Sequence, residues 1–202
     1  MDVSKVHFLV HPGYGLSGHK YGTVSLSEFG CLQESRLLRL YGEKIGSIED
    51  DGSQVLVILA PTRGGKLRDD VKVDSPWIGF IKEAKDRLGS RCVVFSSPLF
   101  LPVAEDNMVV EDGERGVFAD KLRKTLSVRG LNVGDETESE VWGQSTNYCV
   151  KLAYDWVESY MGFKGKPVIP GKSTDLGLLD ASILESELRS LGRAGYKTVN
   201  RR

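Results

Sequence analysis

Five consecutive apolar residues, Val55-Leu-Val-Ile-Leu59, sit between Gln54 and Ala60. This run constrains the fold more than any other segment. A strand with one face on water alternates apolar and polar side chains. A strand apolar at every position needs cover on both faces, and helices packed on either side of a parallel sheet supply it. The run ends at Pro61, where the ring removes a ladder donor.

Similar punctuation recurs along the chain. Val6 to Val10 reads as a strand stopped by His11-Pro12-Gly13-Tyr14-Gly15. Leu32, Leu37, Leu38, Leu40 and Tyr41 predict an amphipathic helix ending near Gly42 or Gly46. Ser75-Pro76 signals a helix start, with Trp77, Ile78, Ile81, Ala84 and Leu88 at three- and four-residue spacing before Gly89. Cys92 to Phe95 predicts a third strand. Met108 to Val110 reads as a short strand before an acidic turn, Glu111-Asp112-Gly113-Glu114. A helix follows, marked by Val117, Phe118, Leu122, Leu126 and Leu131. Glu140 to Gly143 predicts a strand leading into a helix from about Thr146 to Met161, and Val168-Ile169 a last short strand. Ile183, Leu184, Leu188 and Leu191 stripe a C-terminal helix. The expected architecture is α/β: a doubly wound, mainly parallel sheet with helices on both faces. Residues 1–178 form one domain in this reading, and 179–202 a C-terminal helix and basic, frayed tail.

The composition of the 202 residues is that of a globular protein, 40% hydrophobic and 27% charged. A net charge of -1 gives no pull toward nucleic acid or anionic membrane. No stretch approaches the ~20 apolar residues that span a bilayer. Cys31, Cys92 and Cys149 are odd in number and far apart, which points to reduced thiols and a cytoplasmic setting. His11, His19 and Cys31 match no zinc spacing, so neither metal nor cofactor is expected. The late apolar stripe needs a covering surface, and self-association into a homo-oligomer supplies one.

Ligands of open α/β sheets bind beyond the carboxyl ends of the strands. Those ends carry His11, the loop Thr62-Arg63-Gly64-Gly65-Lys66, Ser96-Ser97, the segment from Gly143 to Cys149, and Lys172-Ser173. In Gly143-Gln144-Ser145-Thr146-Asn147-Tyr148-Cys149-Val150, a strand turns into a helix and Cys149 falls in its first turn. Unpaired backbone N–H groups and the helix dipole favour a thiolate there. The same N–H groups suit an oxyanion. His11 is a candidate base, and Arg63 and Lys66 are candidate partners of an anionic small molecule.

The segment resembles the isochorismatase-like cysteine hydrolases, which include the nicotinamidases. Their pattern of a strand, Gly-x-x-Thr-x-x-Cys-Val and a helix is matched by Gly143, Thr146, Cys149 and Val150. Phe118, Leu122 and Leu126 resemble the preceding family helix. The resemblance implies a three-layer, Rossmann-like fold and hydrolysis of a small amide or related acyl substrate, with Cys149 attacking. Gln144 and Thr146 would lie beside the substrate. His11 stands where the family has an Asp, and Glu111-Asp112 near the place of its Lys. A non-catalytic protein of the same fold, either a small-anion binder or an oligomeric scaffold, is the second reading.

Overall fold

The computed structural model describes residues 1–10, 12, 27–60, 62–63, 66–67, 76–96, 112–143, 150–170, 189, 192–195 and 197–199. Four strands form the central sheet: β1 (Lys5–Val10), β2 (Gln54–Ala60), β5 (Cys92–Ser96) and β6 (Glu138–Gly143). Their order is β5-β2-β1-β6, and every pairing is parallel. The apolar run of β2 is buried at each position from Val55 to Ala60, as its composition requires.

Alternate residues of the strands face two helical layers. Val6, Phe8, Val57, Val93 and Val141 pack with α3 (Asp112–Val128) and α4 (Lys151–Tyr160). Leu9, Leu56, Ile58 and Trp142 pack with α1 (Ser27–Asp50) and α2 (Pro76–Leu88). The fold is therefore the expected α/β sandwich of helices, parallel sheet and helices.

Three local expectations are corrected. Helix α1 does not end at Gly42 or Gly46 but runs to Asp50. Leu37, Tyr41, Ile45 and Ile48 form a buried stripe along it. Burying that stripe outweighs the cost of two helical glycines, about 1 kcal/mol each. Asp112-Gly113-Glu114 is the first turn of α3, not a turn preceding it. The end of the chain does not simply fray: β8 (Thr198–Val199) pairs in parallel with β7 (Ile169–Pro170). The expected strand at Met108 to Val110 lies outside the described residues. So does the apolar stripe at Ile183, Leu184, Leu188 and Leu191.

The carboxyl end of α1 is closed from another element. Arg91, in the 3₁₀ turn Gly89–Arg91, donates through Nη1 to the carbonyls of Ile48 (2.7 Å), Asp51 (2.9 Å) and Gln54 (3.2 Å). The last turn of α1 has no basic residue. A distant guanidinium meets the carbonyls that a helix end leaves without intrahelical donors.

Candidate active site

Because the four strands run parallel, they release the chain at one edge of the sheet. The strand order reverses between β1 and β6. The chain moves outward through β2 and β5, then returns to the other side of β1. Such a switch point opens a crevice at the carboxyl ends of the two strands. Here those ends are Val10 and Gly143, which are register partners.

Their approach is close. A Cβ on Gly143 would stand 2.7 Å from the Val10 carbonyl oxygen and 3.2 Å from Val150 Cγ2. No residue with a side chain fits that spacing without movement. The same contact brings the chain back: Val150, just ahead of α4, is fully buried against the end of β6. Gly143 and Val150 thus meet at the carboxyl end of β6.

The second candidate element is a pair of short strands that follows β2. Strands β3 (Thr62–Arg63) and β4 (Lys66–Leu67) run antiparallel, with Arg63 opposite Lys66. Two cationic residues therefore occupy facing positions just past the carboxyl end of β2.

This architecture has a solved counterpart. The crystal structure of the nicotinamidase SaPncA from Staphylococcus aureus aligns over 99% of this chain and 99% of its own, with a TM-score of 0.56 and 12% identity. The fold resembles that of a nicotinamidase. No family model matches the sequence, and no curated protein does.

The structure brings together the backbone positions of Arg63 and Lys66, and it sets the end of β1 beside the end of β6. His11, Gln144, Thr146 and Cys149 lie outside the described residues, as do Ser97 and Lys172-Ser173. Ser96 is the last residue of β5. Glu114 is exposed on the first turn of α3.

Sequence reasoning missed a buried polar cluster in the amino half of the sheet. β1 is a central strand, and its His7 is 1% exposed. His7 and Glu140 are register partners, and Lys44 from α1 donates to Glu140 Oε2. Burial pushes the Glu140 carboxyl up, but His7 and Lys44 outweigh it and hold it well below the ordinary carboxylate range. A signal was present: Glu138 and Glu140 lie two apart on one strand, as Lys5 and His7 do on another. Only the register of the two strands turns that coincidence into contacts.

Proposed function

We propose that the protein is a hydrolase of a small amide or related acyl substrate, working at the crevice between the ends of β1 and β6. The observation that carries this reading is the close packing of Gly143 against Val10 and Val150. Gly143 ends β6 on the side where open α/β sheets bind ligands, and the motif with Cys149 follows it in the sequence. The likeness in fold to a nicotinamidase supports a hydrolase reading.

In this reading Cys149 Sγ attacks the carbonyl carbon, and His11 accepts the thiol proton. Backbone N–H groups near Cys149 hold the oxyanion while the carbon is tetrahedral. The carbon–nitrogen bond then breaks, and the proton passes to the leaving amine. Water hydrolyses the thioester, returning the free thiol and releasing the acid. Gln144 and Thr146 line the substrate, and Arg63 and Lys66 orient an anionic group on it. The setting is cytoplasmic, and the working form is a homo-oligomer.

Ammonia release from a panel of small primary amides, nicotinamide included, tests this reading. Turnover that disappears in Cys149→Ala supports it. Turnover that persists in Cys149→Ala, or none across the panel, rejects it.

The facing positions of Arg63 and Lys66 favour a second reading, in which the same crevice holds a small anion without chemistry. Thermal stabilisation by small carboxylates or phosphate, unaccompanied by turnover and lost in Arg63→Ala/Lys66→Ala, selects it.

A further inference from the structure

A layer of polar side chains crosses the sheet beneath α1, and the proposed chemistry gives it no task. His7 is held from both neighbouring strands. Its Nε2 lies 2.7 Å from Gln54 Oε1 on β2, and its Nδ1 lies 3.1 Å from Glu140 Oε2 on β6. The Gln54 amide nitrogen donates to Asp51 Oδ2 at 2.8 Å. Asp51 is itself fixed by the Ser53 amide and hydroxyl, at 3.0 and 2.7 Å. With its nitrogen so engaged, Gln54 turns an acceptor toward His7, and His7 Nε2 carries the hydrogen. In the neutral ring, Nδ1 is then a lone pair facing a carboxylate oxygen. Among the described residues Nδ1 has no hydrogen-bond partner. At that distance the His7–Glu140 contact becomes an ion pair once the ring takes up a proton.

The charges around it explain why that proton is withheld. Glu140 Oε2 accepts from Lys44, and Glu140 Oε1 lies 3.5 Å from Lys5 Nζ. Lys5 also reaches Glu138 at 3.2 Å. The groups facing His7 are thus Lys5 on its own strand, Glu138 and Glu140 on β6, Lys44 on α1, and Gln54 backed by Asp51. Arg91 faces Asp51 from the far side. Burial disfavours a charged ring most. Glu140 pulls toward protonation and Lys44 against it, and the His7 pKa ends below its ordinary value. Two ammonium groups already share the buried Glu140 carboxylate, and a third cation would compete for it.

We propose that the His7–Glu140 contact is a proton-operated latch on α1: a proton taken up at Nδ1 as the pH falls binds Glu140 to His7 and releases Lys44. Solvent supplies the proton, one Nδ1–H bond forms, and Lys44 keeps its charge. Lys44 is the partner that leaves because its flexible stem lets the ammonium reach water. Its side chain is already 16% exposed, whereas that of His7 is 2% exposed. Helix α1 then keeps its apolar stripe and loses its polar tie to β6.

The test uses the full-length protein. The His7 ring is titrated by NMR, with its signal assigned by its loss in His7→Gln. Amide exchange in α1 around Lys44 is followed over the same pH range and corrected for its intrinsic pH dependence. The expected result is a His7 midpoint below the ordinary value. At that same midpoint, α1 exchange should rise about tenfold, equivalent to one pH unit of linkage. Lys44→Met should move the His7 midpoint upward and remove the step in α1 exchange. A His7 titration with no accompanying step in wild-type α1 overturns the proposal, and so does a step that survives in Lys44→Met. The coincidence of midpoints is read on the wild type, so the decision stands even where Lys44→Met fails to fold.

Discussion

The Val10 carbonyl oxygen lies 2.7 Å from the point where a side chain on Gly143 would begin. The two residues end neighbouring parallel strands, so this contact sets the floor of the proposed crevice between them. Gly143→Ala places a methyl group against backbone that cannot rotate away. Overpacking of this kind costs about 1–3 kcal/mol. Urea unfolding should show that loss. A variant as stable as wild type would mean that the strand ends separate easily, and the crevice would lose its rigid floor.

Gly42 makes the opposite case. It lies inside α1, and a Cβ there meets nothing within 4 Å. Gly42→Ala should therefore stabilise the protein by about 0.5–1 kcal/mol through helix propensity and a less mobile unfolded chain. The measurement is a rise in the denaturant midpoint at unchanged slope.

These two glycines show what the sequence discloses and what it hides. Gly42 reads as a helix stop and Gly143 as the first position of a motif, and only their tertiary neighbours show what each glycine does. The parallel sheet was legible because Val55 to Leu59 admits only a strand covered on both faces. The end of α1 was not, because the stripe from Leu37 to Ile48 continues across glycines that local propensity counts as stops. The crevice was legible in part: Gly143 and Val150 stood in a recognisable spacing, but the carbonyl that demands the glycine comes from β1, 133 residues earlier. The buried charges were illegible for the same reason. Nothing local couples Lys44 or His7 to Glu140, which lies 96 residues beyond the lysine.

Removing Glu140 should be among the most damaging single changes in the sheet. Its side chain is 9% exposed and serves Lys5, His7 and Lys44. Taking away the anion leaves partly buried cations without compensation, a loss of about 3–5 kcal/mol. Glu140→Ala should be far less stable than Glu136→Ala, whose partner Lys164 is exposed. Equal midpoints for the two variants in urea would show that the buried cluster contributes nothing to stability.

Acid should weaken the fold through the same residues. His7 has a folded pKa below its unfolded value near 6.5, and Glu140 one below its unfolded value near 4.3. A depressed folded pKa gives stability that is complete above the unfolded pKa and lost as the pH falls. The histidine part should therefore disappear first, below about pH 6.5, and the carboxylate part below about 4.3. Urea midpoints between pH 8 and pH 2 should fall in that order. His7→Gln should remove the upper step and leave the lower one. A wild-type midpoint that is flat from pH 8 to pH 5 would contradict the assignment.

Thiol chemistry offers the most direct reading of the crevice, because the protein carries an internal control. Cys92 is buried on β5 at 1% exposure, and burial pushes its thiol up to about 11. Lys85 and Arg129 lower it only in part. At neutral pH about one Cys92 in ten thousand is thiolate, and the folded chain shields even that. Native Cys92 should therefore resist iodoacetamide until the protein unfolds. In the proposed site Cys149 stands at a helix start, whose unpaired N–H groups and dipole favour thiolate. It should be alkylated fastest of the three, with a rate that rises at lower pH than that of a free thiol near 8.5. If His11 accepts its proton, His11→Ala should slow alkylation near neutral pH and move the profile upward. Rates against pH for the three single-cysteine variants decide the matter. A Cys149 no faster than Cys31 would leave the sheet and its crevice intact and remove the nucleophile from them.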